Sequence, residues 1–134
     1  MKKIKNIFKI GFYFANIILR TLYLYPGSIF GCFLFDNCSV QPQITKHLIV
    51  GDFVISSNHI YAFILLTSLG VFSFHNTKKI DFLIFYLFLL SIILELFHII
   101  IPNREFEISD LFGNIGGVIL VIFIYKIAIR HVKT

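Results

Sequence analysis

Along this chain the apolar residues come in long unbroken runs rather than in alternation with polar ones. Four runs stand out: Ile7 to Tyr25, Ser57 to Phe74, Phe82 to Ile101 and Asp110 to Ile129. The first is interrupted by Lys9 and Arg20 and ended by Pro26-Gly27, and the third is stopped by Pro102. At about 1.5 Å per residue, about 20 helical residues cross the roughly 30 Å hydrocarbon core of a bilayer. The pattern predicts four membrane-spanning helices in a single membrane domain. Residues 26–56 form a long connection. Its apolar stretch from Ser28 to Phe35 is too short to cross and reads as interfacial or re-entrant. Strands of a membrane barrel would alternate lipid-facing and lumen-facing residues, so the expected fold is an all-α bundle.

Composition sharpens this. The 134 residues are 57% hydrophobic and only 14% charged, with 17 Phe and no Trp; an average soluble domain has about 45–50% apolar and about 25% charged residues. A soluble enzyme, a disordered tail, a collagen and a disulfide-rich secreted domain are excluded, and four spans leave no length for a separate soluble domain. The net charge is +5, and nine of the twelve Lys and Arg residues fall on one side of the predicted topology: Lys2, Lys3, Lys5, Lys9, Lys78, Lys79, Lys126, Arg130 and Lys133. Lys46 and Arg104 lie on the other side and Arg20 within the first span. The positive-inside rule then puts both termini in the cytoplasm. Anchoring accounts for the basic balance, and without a basic patch on a solvated face no nucleic-acid partner is expected. The basic, then apolar, start is similar to a signal peptide, but no small-residue cleavage site follows, so it is expected to remain as span one.

Once oriented, the spans bring their polar residues to one depth. Glu95, about 9 Å inside the outer boundary at 1.5 Å per residue, and His98 lie near the outer end of span three. Asp110 opens span four, with Asn114 one turn deeper. Asn58 and His59 lie at the outer mouth of span two, Arg20 in the outer third of span one, and Arg104 in the loop between spans three and four. The inner halves of spans two to four are almost wholly apolar. Ser91, Glu95 and His98 share one helix face, as do Asp110, Gly113, Asn114 and Gly117. Gly113-x-x-x-Gly117 is a small-xxx-small pattern that lets another helix approach closely, which would carry Asp110 and Asn114 into the bundle. Each residue also has a purely structural reading. Glu95 could pair with Arg104 or Arg20, Asp110 could cap a helix, and His59 could be solvated. Together they form a functional hypothesis, because ionisable groups inside a membrane are expensive. Cys32 and Cys38 fall in the outward connection, either as one disulfide or as two thiols. No metal motif, phosphate loop or nucleotide fingerprint is present, so neither metal nor cofactor is expected.

The run Glu95-Leu-Phe-His98, Pro102-Asn-Arg104, Asp110-Leu-Phe-Gly-Asn114-Ile-Gly116-Gly117 resembles the VanZ-like family of small integral membrane proteins. That family typically has a Glu and a Gln near the end of one span, a Pro-containing loop with Arg, then an Asp, an Asn and glycines opening the last span. His59 with Tyr61-Ala62-Phe63, and Pro26-Gly27 after span one, extend the likeness. Two departures stand out: His98 occupies the usual Gln position, and Ile55-Ser56 replace an Asp-Lys pair. The family takes its name from a protein associated with teicoplanin resistance. The resemblance implies a cell-membrane protein linked to envelope lipids or lipid-linked cell-wall precursors, with an effect on glycopeptide sensitivity.

Four functions compete. In the first, the chain binds or modifies an anionic membrane amphiphile: Arg20, His59, Arg104 and Asn114 bind it, and Glu95, His98 and Asp110 are the candidates for proton transfer. In the second it is a structural or accessory subunit with the polar cluster as packing glue. The third is a small proton-coupled transporter acting as a homo-oligomer, with Glu95 as the coupling carboxylate. The fourth, a lipid-phosphate hydrolase, lacks the Pro-Ser-Gly-His run and the His before the Asp that such enzymes use.

Overall fold

A computed structural model describes residues 2–132. Lys133, counted in the charge asymmetry, lies outside the described residues. The elements in order are α1 (Lys2–Leu24), α2 (Ile29–Phe35), β1 (Leu48–Val50), β2 (Phe53–Ile55), α3 (Ser57–Phe74), α4 (Ile80–Phe97) and α5 (Ile108–Val132). Four of these helices are long and apolar enough to cross a membrane: Lys3–Leu24, Ser57–Phe74, Ile80–Phe97 and Ile108–His131.

Helix α3 packs against α1, α4 and α5, and α5 also lies along α4. α1 turns one stripe inward, with Phe12, Asn16, Leu19 and Tyr23 buried at the 3–4-residue spacing of a single helix face. Leu66, Phe63, Leu87, Leu94 and Val118 fill the interior. Outward-facing residues such as Ile10, Phe14, Phe82, Phe85 and Phe123 are each more than half exposed. Such surface is untenable in water and natural against acyl chains.

The connection after α1 is ordered. Gly27 takes a φ of +93°, a conformation that favours glycine, and turns the chain after Pro26. The Ser28 hydroxyl accepts a hydrogen bond from the Gly31 amide, capping α2, which ends at Asp36 in the left-handed region. Cys32 and Cys38 form a disulfide, resolving the two alternatives left open by the sequence. Beyond it, β1 and β2 pair antiparallel around Gly51-Asp52. This short hairpin was not foreseen from the apolar runs. Its β-branched residues flank a two-residue turn opened by a positive-φ glycine, a standard hairpin signal, but the strands are three residues long and mostly exposed. Phe53 rests edge-on against Phe112 of α5.

The third apolar run continues to Ile101, but helical bonding stops earlier. The amides of His98, Ile99 and Ile100 bond three residues back, the tightened form common at helix ends. The resulting turn brings residues 98–107 over the same end of the bundle as the connection 25–56.

Candidate functional site

The site grows from one fixed amide. Nδ2 of Asn114 donates to the Ser91 carbonyl at 3.1 Å, with Asn114 fully buried. Its Oδ1 must therefore be the end that faces Tyr23 and His59. The Tyr23 hydroxyl donates to that oxygen at 2.6 Å, and His59 Nδ1 lies 3.0 Å from it. The Tyr23 hydroxyl also lies 2.9 Å from that nitrogen, so Nδ1 either donates to the Asn114 oxygen, which only accepts, or accepts from Tyr23, according to the His59 tautomer. The other ring nitrogen, Nε2, points at Asp110 Oδ2, 3.1 Å away.

Glu95 is completely buried. Its Oε1 accepts from the Glu107 amide at 3.1 Å and lies 3.2 Å from Nδ1 of His98. The second nitrogen of His98 faces the Tyr23 carbonyl at 3.1 Å. Both nitrogens of His98 thus face oxygen acceptors, Glu95 on one side and the Tyr23 carbonyl on the other. Glu95 Oε2 has no hydrogen-bond partner among the described residues, and His59 Nδ1 is 4.0 Å from it.

Glu95, His98, His59, Asp110 and Asn114 are brought together from α3, α4 and α5 and the turn after α4. The two arginines behave differently from expectation. Among the described residues, the ion-pair partners of Glu95 are the two histidines. Arg104 instead donates to the Leu22 carbonyl at 2.6 Å and the Tyr25 carbonyl at 3.2 Å, satisfying acceptors left open at the end of α1. It stays at the rim, where burial draws its guanidinium below its ordinary value and nearby Tyr23, Glu95 and Asp110 pull it back up. Arg20 does not reach the cluster. It donates to the Tyr86 hydroxyl at 2.7 Å across the α1–α4 groove, because its position is turned by about 100° from the inward-facing Leu19. Asn58 is spent on the connection, bonding the Ile44 amide and the Pro42 carbonyl. Asp110 sits inside the first turn of α5, where a carboxylate is favoured by the helix dipole.

Tyr23 was missed. It links Asn114, His59 and His98, and its only sequence signal is its place on the stripe through Phe12, Asn16 and Leu19. A metal-type grouping was also invisible: His59, Glu95 and Asp110 each offer one ligand atom, all within 4.8 Å of one another. Each comes from a different helix, so no spacing motif could reveal it.

Two cavities meet at this cluster. A polar cleft of about 570 Å³ is lined by Gln41, His98, Arg104, Glu107 and Asp110 among others. A largely apolar cavity of about 480 Å³ lies between α1, α3 and α2, walled by Leu19, Leu22, Phe30, Leu34, Ala62 and Leu65. Its polar end is formed by Tyr23, His59, His98 and Arg104.

Four apolar helices around a buried acid–imidazole cluster, with glycines seating one helix on another, define a small multi-pass membrane protein. The model of the VanZ/LLP1 family matches residues 3–129, nearly the whole chain, and the chain belongs to that family. No curated protein and no solved structure matches it.

Proposed function

We propose that this VanZ-family protein binds, and acts on, an anionic amphiphile of the cell membrane, an envelope lipid or a lipid-linked cell-wall precursor, at its outward end. The observation that carries this reading is the junction of the two cavities. An apolar cavity suited to a hydrocarbon chain ends in Tyr23, His59, His98 and Arg104, while the cleft beyond is polar. Chain and head group would each find matching walls. Glu95 and His98, already in contact, could pass a proton at the head group, and an effect on glycopeptide sensitivity in the cell would follow from action on a cell-wall precursor.

The test is binding to the purified protein in nanodiscs, with a fluorescent polyprenyl phosphate as the probe and the uncharged polyprenol as its control. Saturable binding of the phosphate, at least about tenfold tighter than the polyprenol (about 1.4 kcal/mol), is expected. It should be lost in Ala62→Phe, whose ring would fill the apolar cavity. Equal binding of both probes, or none, would leave the accessory-subunit reading, in which the cluster only holds helices together.

Orientation is part of the proposal. It rests on the cation asymmetry and on the Cys32–Cys38 disulfide, since disulfides persist in oxidising compartments. An impermeant thiol reagent should label a cysteine placed at Lys46 in intact cells and miss one at Lys78. The native pair is tied up and gives no background. Labelling at Lys78 would reverse the topology.

A further inference from the structure

We infer that His59, Glu95 and Asp110 hold one divalent metal ion, of the Mn²⁺ or Zn²⁺ kind, at the junction of the two cavities. The placement of the His59 ring carries the argument. Asn114 is locked by the Ser91 carbonyl, which sets an accepting Oδ1 3.0 Å from Nδ1 of His59, while Nε2 faces Asp110. In the tautomer protonated at Nδ1, Nε2 is free to bind a cation. A metal-bound histidine is held in the same way, its second nitrogen donating to a fixed acceptor that sets tautomer and ring orientation.

Glu95 supplies the independent sign. It is fully buried, Oε1 is committed to Glu107 and His98, and Oε2 has no hydrogen-bond partner among the described residues, its distance to the nearer His59 nitrogen, Nδ1, being 4.0 Å. A buried carboxylate oxygen left open is costly unless a proton or cation meets it. Nε2 of His59 and Oδ2 of Asp110 are 3.1 Å apart, a separation that adjacent ligand atoms of one ion adopt. With metal–ligand bonds of about 2.0–2.2 Å, two ligand atoms on one ion lie at most about 4.4 Å apart. The ligand atoms of this trio lie within 4.8 Å of one another, so closing on one ion asks the side chains to draw together, by up to about 1.3 Å for the roughly 3.5 Å separations of a tetrahedral site. One imidazole with two carboxylates is a mixed donor set that suits Mn²⁺ or Zn²⁺ better than Ca²⁺, which takes oxygen ligands. Asp110 lines the polar cleft, so an ion has a way in, and the remaining positions are open to a ligand.

The ion also removes a difficulty in the proposed function, on which this consequence rests. Two carboxylates at the polar end would repel an anionic head group; a divalent ion neutralises them and presents a positive charge to phosphate or carboxylate.

The experiment is Mn²⁺ titration of the full-length protein in detergent after chelator treatment, read by electron paramagnetic resonance with no lipid added. One ion per chain is expected, with magnetic coupling to an imidazole nitrogen. Binding should weaken at least about tenfold in Asp110→Asn and the nitrogen coupling should vanish in His59→Gln. Asp52→Asn, at the exposed hairpin turn, should bind as the native chain does. Elution profile and helical circular dichroism identify variants that remain folded, and Asp110→Asn, only partly buried, is the one expected to stay native-like. No stoichiometric binding by the folded native protein, binding without nitrogen coupling, or undiminished binding in folded Asp110→Asn would overturn the site and leave a proton shared between His59 and Asp110. Because the titration contains no lipid, its failure leaves the polyprenyl phosphate test standing, and failure of that test leaves the ion site standing.

Discussion

Leucine at Gly113 or Gly117 should all but eliminate the protein from the membrane, and even alanine should lower its thermal stability sharply. A Cβ at Gly113 would lie 2.7 Å from the Ser56 carbonyl oxygen and 2.8 Å from His59 Cβ; at Gly117 it would lie 2.7 Å from the Ile60 carbonyl oxygen and 2.9 Å from Phe63 Cβ. The obstacles are backbone atoms and the roots of side chains on α3, which cannot swing aside. Relief requires the two helices to separate. Overpacking a tight core costs about 1–3 kcal/mol, and alanine at either position belongs at the upper end of that range. Leucine exceeds it, and separation of α3 from α5 would also pull His59 away from Asp110 and Asn114. Gly116 is the internal control, since nothing lies within 4 Å of a Cβ there. Gly116→Ala should be neutral or stabilising by up to about 1 kcal/mol, the gain from replacing glycine inside a helix. Melting in detergent, together with membrane abundance, checks all three. Native-like melting of Gly117→Ala would mean that α3 and α5 do not pack by this face.

Glu95→Gln should abolish function at near-normal abundance. Glutamine can keep Oε1 as acceptor for the Glu107 amide and His98, so the loop 98–107 stays docked. The bonds lose charge assistance, which costs about 1 kcal/mol, partly offset because a buried charge disappears. What cannot be kept is the negative, open oxygen facing His59. Glu95→Leu serves as the contrast. It removes the acceptor of the Glu107 amide and of one His98 nitrogen, and a buried donor left without its partner costs about 1–3 kcal/mol; that variant should fall in abundance as well as function. Since His98 and not an arginine pairs with Glu95, Arg20→Gln should not alter the effect of Glu95→Gln. Envelope-antibiotic sensitivity and lipidomics of cells carrying each variant, set against quantified membrane levels, provide the readout. Full activity in both Glu95→Gln and Asp110→Asn would reduce the cluster to packing glue.

The amino-acid sequence determined the class of this protein, because a hydrocarbon solvent imposes a requirement readable in one dimension. Every backbone polar group must be satisfied within the span, so each apolar run long enough to cross becomes a helix. Glu95, His98, Asp110, Asn114 and His59 were also legible, since a polar group in such a run is conspicuous and helical rise sets its depth. The glycine pair on α5 showed which face docks. Tertiary structure decided what depth cannot express: the rotation of each helix and the path of each side chain. Arg20 and Tyr23 are three residues apart on α1, yet one bonds Tyr86 in the groove and the other joins the cluster, because only the stripe through Leu19 turns inward. Arg104 follows the chain closely enough to have met Glu95, but the unpaired carbonyls ending α1 claimed it and left Glu95 to the histidines. Nδ1 of His59 meets an asparagine whose own orientation depends on a carbonyl of a third helix. Such a chain of donors and acceptors leaves no trace in residue spacing, since it exists only where three helices meet.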